Sequence, residues 1–348
     1  MKLAVTFKTL SVLALASLMF VGCGSDNEAA NPGIAHEIVD SISTTVARNL
    51  NEAELATTTP LDPDQPEEVK MITEIADVQL VGSKLYGVFN GGVVVYNFED
   101  KTYAVIPAGE KLNAVALHEE KVYVGGDNLY TVNDSVLEAV EEDFEGVITD
   151  LYSYGYRLMV GTESGLYSTG IFGDELLFDG IEVSAMAADE SGLWVGTRGE
   201  GLYRWDGEEF QKRYLRRDTS LFDIVNTLDF NHRHLYMGTP NGFHIFNGGS
   251  WQTLTNLDGL PADNVTDVDA SQWVVYLSTD GGVISYFNGD FIPVNKLEET
   301  CATALAVEGR KVIAATDYDG IIMKSGSVVK TIVPADAGMN FNILSLIP

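Results

Sequence analysis

Acidic residues recur where a chain of short strands would turn. Asp77, Asp150 and Asp267 stand near the starts of apolar segments, and Asp127, Glu163, Asp280, Asp317 and Asp319 fall in turns. A ring of such carboxylates offers the oxygen ligands that Ca²⁺ or another hard cation takes. Asp is also a good turn former, and no spacing here matches a calcium loop, so no metal ligand set is assigned. The basic residues are unevenly spread: Arg198, Arg204, Lys212, Arg213, Arg216 and Arg217 place six of the 21 within twenty positions. That patch suits an anionic group or an acidic partner surface, or else pairs with the acids around it. His232, His234 and His244 lie in one stretch, but no Cys or carboxylate completes a metal set. Tyr152, Tyr154 and Tyr156 alternate across a turn, as strand packing or as part of a recognition surface. No Ser/His/Asp order, phosphate loop or catalytic carboxylate pair stands out, and no catalytic residue is assigned.

The background is strongly acidic, with 21 Lys+Arg against 51 Asp+Glu and a formal net charge of −30 over 348 residues. Nucleic acid is therefore not the expected partner, because phosphate binding needs a basic surface. An apolar content of 45% with 34 glycines excludes a disordered acidic tail and leaves material for a core. Two cysteines are too few for a disulfide scaffold. Cys301, between Thr300 and Ala302 with no basic neighbour, reads as a small buried apolar residue.

Lys2 and Lys8 precede an apolar run of 12 residues, 10–21, short of a bilayer-spanning helix. Phe20-Val21-Gly22-Cys23-Gly24 follows. This resembles a bacterial lipoprotein signal, which implies removal of residues 1–22, a covalent lipid on Cys23, and a mature charge of −32 after loss of two lysines from −30. Gly24 after the Cys implies the outer membrane of a Gram-negative cell. Residues 23–70 read as a tether, with breaker-rich stretches near 25–28 and 60–66. Ile38, Ile42, Val46 and Leu50 suit one short helix between them. A flexible stretch of this length reaches roughly 35–40 Å.

From residue 71 to 348 a unit repeats. It opens with an apolar strand at Ile75, Leu112, Ile148, Val183, Val225, Val265 and Ala302, at spacings of 37, 36, 35, 42, 40 and 37 residues. Each unit holds short strands rich in aromatic and β-branched residues, separated by Gly/Asn/Asp turns. In Leu158-Met159-Val160-Gly161-Thr162 and its relatives, the Gly is expected where the backbone needs positive φ. One four-stranded sheet cannot cover both its faces, whereas seven stacked around an axis can. The expectation is an all-β, seven-bladed β-propeller of four-stranded antiparallel blades, with the tail Asn342-Ile343-Leu344-Ser345-Leu346-Ile347 latching the ring onto the first blade.

Asp189-Glu190-Ser191-Gly192-Leu193-Trp194-Val195-Gly196-Thr197, continued by Gly201-Leu202-Tyr203-Arg204-Trp205-Asp206-Gly207, resembles the two-component-regulator propeller repeat, a WD40/YVTN-like family. Asp258-Gly259-Leu260-Pro261 matches that family's inter-blade signature. The resemblance implies a periplasmic sensing propeller. No transmembrane helix, kinase or DNA-binding segment follows in this sequence, so phosphotransfer by the chain itself is not expected. Two readings follow: a lipid-anchored binding or scaffold module for an envelope protein, peptide or glycan, or a metal-dependent hydrolase or lactonase with Asp77, Asp150 and Asp267 at the channel mouth.

Overall fold

Short strands with one face apolar must find cover on both sides, and this chain finds it by radial stacking. The computed structural model describes residues 72, 74–142, 144–170, 173–213, 223–231, 233–271 and 274–336. Blade 1 comprises Asp77–Val81, Lys84–Asn97 and Thr102–Lys111. Blade 2 is Ala114–His118, Lys121–Gly125, Leu129–Asn133 and Val136–Ala139, and blade 3 is Ile148–Tyr154, Arg157–Thr162, Gly165–Gly170 and Glu175–Asp179. Blade 4 is Val183–Asp189, Gly192–Thr197, Leu202–Trp205 and Phe210–Arg213, and blade 5 is Thr227–Asn231, His234–Thr239, Gly242–Phe246 and Trp251–Leu254. Blade 6 is Val265–Ala270, Val275–Thr279, Gly282–Phe287 and Asp290–Pro293, and blade 7 is Ala302–Glu308, Lys311–Thr316, Ile321–Ser325 and Val328–Val333. Within each sheet the strands pair in chain order and antiparallel.

The long element of blade 1 is two strands in one. Its first half pairs with Asp77–Val81, its second half with Thr102–Lys111, and Phe98 N–H meets Ser83 O at 2.9 Å. Lys84–Asn97 therefore folds back near Asn90 and Gly91, whose φ is 130°, and blade 1 is four-stranded like the others. The expected seven-bladed propeller is the fold observed.

The core is not one mass but seven, each between consecutive blades. Val88, Leu112 and Val124 pack between blades 1 and 2, Leu129, Ile148 and Val160 between blades 2 and 3, and Leu166, Val183 and Val195 between blades 3 and 4. Leu202, Val225 and Met237 continue the series, then Phe243, Val265 and Leu277, then Val283, Ala302 and Ala314. The ring closes where Ile72, Ile75 and Phe89 meet Ile313, Ile321 and Val333. That closing cluster has fourteen buried members against seven between blades 6 and 7, so packing carries closure. Each buried aliphatic side chain contributes about 1.5–3 kcal/mol. Ile72 N–H also donates to Ala335 O at 2.9 Å. The tail at 342–347 expected to latch the ring lies outside the described residues, as do Cys23 and the helix expected over 38–50.

The second-strand glycines do something other than expected. Gly161, Gly196 and Gly238 do not have positive φ. A Cβ on Gly125, Gly161, Gly196 or Gly238 would instead lie 2.5 to 2.7 Å from the opening residue of the next blade, Ile148, Val183, Val225 or Val265. Where the incoming residue shrinks to Ala302, the glycine position is Ser278. Thus the glycine measures the gap between blades. The threonine after it shapes the turn: Thr162, Thr197, Thr239, Thr279 and Thr316 each donate a buried hydroxyl to a turn carbonyl, of Gly165, Gly201, Gly242, Gly282 and Gly320.

A second tie runs around the axis. The residue after each opening position donates its side chain to the opening carbonyl of the next blade. Asn113 reaches Ile148 O (2.9 Å), Thr149 Val183 O (2.6 Å), Ser184 Val225 O (2.6 Å), Asn226 Val265 O (2.8 Å), Thr266 Ala302 O (2.8 Å) and Thr303 Ile75 O (2.5 Å). Blade 1 carries Ala76 at this place and has no side-chain donor to give. Cys301, expected to be buried, is only half-buried, with its Sγ 3.2 Å from Asp280 O, because it sits on the loop before the strand rather than in it.

Two outcomes follow for stability. Gly161→Val forces a branched side chain into Val183 and lowers unfolding free energy by about 1–3 kcal/mol, and adding Val183→Ala returns part of it in a double-mutant cycle. Thr303→Val deletes the donor that returns blade 7 to blade 1. The urea midpoint then falls by an amount worth about 1 kcal/mol with m unchanged.

Candidate functional site

An inner strand pairs on one edge only, and its other edge, with alternate N–H and C=O groups, faces the propeller axis. Those groups need partners. They border a cavity of about 360 Å³ lined by the inner strands of all the blades. Into it the structure brings Asp77, Asp150 and Asp267, the acids singled out near strand starts, together with Asp229 and Asp269, which sequence reading passed over.

Each carboxylate is built into the edge. Asp77 accepts Val78 N–H at 2.7 Å and, across the junction, Val115 N–H of blade 2 at 2.9 Å. Asp150 accepts Leu151 N–H at 2.8 Å and is also hydrogen-bonded by Met186 N–H of blade 4. Asp229 accepts Phe230 N–H at 2.7 Å and Ala270 N–H of blade 6 at 2.6 Å. Asp267 accepts Val268 N–H at 2.8 Å, Leu305 N–H of blade 7 at 2.6 Å, and the Thr227 hydroxyl at 2.8 Å. Asp269 accepts Val307 N–H at 2.8 Å. The rule is positional. An acid two or four residues after the opening apolar residue takes the following N–H of its own strand or of the neighbouring blade's strand, or both. Alternation in Leu228-Asp229-Phe230 and Val268-Asp269-Ala270 was the available signal for the two that were missed.

Burial and mutual repulsion act on this group. Burial pushes Asp77 up to about 7, against the N–H bonds from Val115 and Val78, with Asp267 adding repulsion. Burial likewise raises Asp269 to about 7, with Asp229 and Asp267 adding to it, and Asp229 to about 6. Asp150 and Asp267 are pushed up by burial as well. Among the described residues no group of three or more His, Cys, Asp or Glu is arranged to hold a metal ion. The turn acids Asp127, Glu163, Asp280, Asp317 and Asp319 lie outside the channel lining.

The described members of the basic cluster point to two faces. Arg198 Nε pairs with Glu182 at 3.4 Å and Lys212 Nζ with Glu200 at 3.2 Å. Lys212 also lies over the Tyr203 ring. Both stand with Arg213 at the face where the inner strands begin, and Arg213 donates to Gln211 Oε1 at 2.8 Å. Arg204 points toward the opposite face. It lies over Trp194, donates to Ser191 Oγ, and meets both oxygens of Asp189 at 3.0 and 3.2 Å. Burial works to raise Asp189, but hydrogen bonds from Ser191, Trp194 and Arg204 outweigh it and leave the carboxyl below its usual value. Arg216, Arg217 and His232 lie outside the described residues. His244 is buried between Thr239 Oγ1 and Thr253 Oγ1, each at 3.0 Å, and burial pushes it down to about 4. Of the tyrosines, Tyr152 OH accepts Ala188 N–H of blade 4 at 3.1 Å, Tyr154 packs near Trp205, and Tyr156 is exposed.

No protein-family model matches the chain, and no curated protein matches it in sequence. Solved structures do match it in shape. The extracellular domain of a hybrid two-component system from B. thetaiotaomicron superposes with a TM-score of 0.62 at 14% identity, over 77% of this chain and 40% of that one. PorZ, a bacterial surface component of the type-IX secretion system of Porphyromonas gingivalis, gives 0.58 at 10% identity, over 76% of this chain and 39% of that one. The WD40 propeller domain of Doa1 gives 0.57 at 12% identity, over 74% of this chain and 95% of that one. The chain therefore spans about 40% of the length of the two bacterial neighbours. At such identities the likeness establishes the fold: a β-propeller similar to that extracellular domain and to the WD40 domain.

Proposed function

We propose that the chain is an exported, lipid-anchored β-propeller of the cell envelope that binds a protein, peptide or glycan partner across a propeller face and performs no catalysis itself. One observation carries this reading: the axial carboxylates, the best candidates for chemistry, are taken up by backbone N–H groups of their own and neighbouring blades. Carboxylates so engaged hold strands rather than a ligand. The loops of the two faces are left for recognition, which is where propellers and other scaffolded folds carry it.

The address follows from the N-terminus. Cys23 bears the lipid, residues 24–70 form the tether, and the partner belongs to the same envelope compartment. The extracellular and surface settings of the bacterial neighbours are in keeping with export. The segment 211–218 is the proposed capture element for an anionic group or acidic surface, and its described end, Arg213, stands on the face where inner strands begin. Arg198 and Lys212 already have acidic partners beside it, while Arg213 stands at its described end.

Crosslinking in intact cells, followed by mass spectrometry, tests both parts. The expected result is an acylated peptide beginning at Cys23 and a discrete crosslinked neighbour. Combined Arg213→Glu, Arg216→Glu and Arg217→Glu should weaken its capture, with the wild-type capture itself falling as salt rises. An unmodified Cys23 would refute the anchor. Capture unchanged by the triple charge reversal would remove the segment from the interface.

A further inference from the structure

The five axial aspartates share one cavity, and among the described residues lining it there is no Lys, Arg or His to offset them. Four of the seven blade junctions run through them: blades 1 to 2 by Asp77, 3 to 4 by Asp150, 5 to 6 by Asp229, and 6 to 7 by Asp267 and Asp269. The groups that hold the ring together are therefore also the groups that repel one another across its axis. We propose that this cluster is a proton-operated clamp, in which uptake of protons by the axial carboxylates on mild acidification tightens the blade junctions and their loss under alkaline conditions loosens them.

The surroundings decide the direction. Blade 1 presents Asp77, blade 3 Asp150 and Tyr152, blade 5 Asp229, and blade 6 Asp267 and Asp269. Blades 2, 4 and 7 present Asn113, Ser184 and Thr303 with aliphatic neighbours, none of which titrates. Tyr236 and Tyr276, close enough to feel Asp229 and Asp269, are pushed above the usual phenol value by burial, as is Tyr152, and stay neutral throughout. Folded Asp77 and Asp269 are raised to about 7 and Asp229 to about 6, above the ordinary carboxyl value of 3.8. The folded chain thus binds more protons than the unfolded one between those limits, and stability rises as pH falls through them. A protonated carboxyl is a poorer acceptor for its N–H partners, but relief of burial and repulsion outweighs that loss. His244 works the other way. It is neutral when folded and pushed down to about 4, so its contribution, complete above its ordinary value of 6.5, is lost as pH falls from there toward 4. One imidazole against five carboxylates places the maximum on the acid side of neutrality.

A chain of charge −30 also gains stability in acid simply by shedding surface repulsion. Salt separates the two effects, because exposed charges are screened and buried ones much less so. The test is the melting temperature of the full chain from pH 8.5 to pH 5.5, in about 0.05 M and about 0.5 M NaCl, chosen to lengthen and shorten the screening distance. The expected rise is roughly 5 °C on acidification, the scale of a modest stability gain in a domain of this size, surviving at the higher salt. It should be smaller in Asp77→Asn and in Asp269→Asn. A rise that disappears at high salt, or that both variants reproduce in full, overturns the proposal. Should a variant fail to fold, carbon-detected NMR of aspartate carboxyls in the wild-type chain serves instead: titrations above about pH 5.5 support the clamp, and their absence overturns it.

Discussion

The exposed edge of the inner strand is the constraint from which the rest follows. A blade can satisfy its interior hydrogen bonds alone, but its axis-facing edge has no strand to pair with. In an open sheet such an edge invites aggregation. Here it is answered from the neighbouring blade, by hydroxyls and amides that donate to opening carbonyls and by aspartates that accept edge N–H groups. Because each answer comes from the preceding blade, no blade is complete until its neighbour is in place.

Packing enforces the same dependence. All seven apolar clusters straddle a junction, so a blade on its own would expose both faces. Glycine at 125, 161, 196 and 238 sets how near the next blade can come, and Val or Ile opposite it fills the space. Hydrogen bonds worth about 1 kcal/mol each do not drive closure against burial of this extent. They fix its register, and they keep polar backbone from being stranded where apolar surface has been withdrawn from water.

Much of this was legible in the sequence because the repeat is physical. A unit of about 40 residues with apolar openings, Gly-Thr pairs and Gly/Asn turns has few other ways to bury its surface. The site was less legible. Asp77, Asp150 and Asp267 stand out as acids near strand starts, but their spacing matches no calcium loop and favours a turn reading, which is not what they do. Their role as staples needed the neighbouring blade, some 38 residues away in sequence at Val115 and Leu305. Asp229 and Asp269 were missed because they lie deeper in the strand, where a lone acid in an apolar run looks like an outward-facing residue. The glycine of each Gly-Thr pair was assigned to backbone conformation, when the cause was a side chain of the next unit. Local pattern shows which residues form a blade, and only the ring shows what they are for.

Native-state hydrogen exchange at the axial edge tests this most directly. The amides of Val115, Ala270, Leu305 and Val307 belong to a formally unpaired strand edge but are held by aspartates of the preceding blade. If the ring is stitched in this way, they exchange only through global unfolding, as slowly as amides in the middle of the sheets. Exchange at the rate of a frayed, solvent-facing edge would show that the staples do not hold and would contradict the account at its centre.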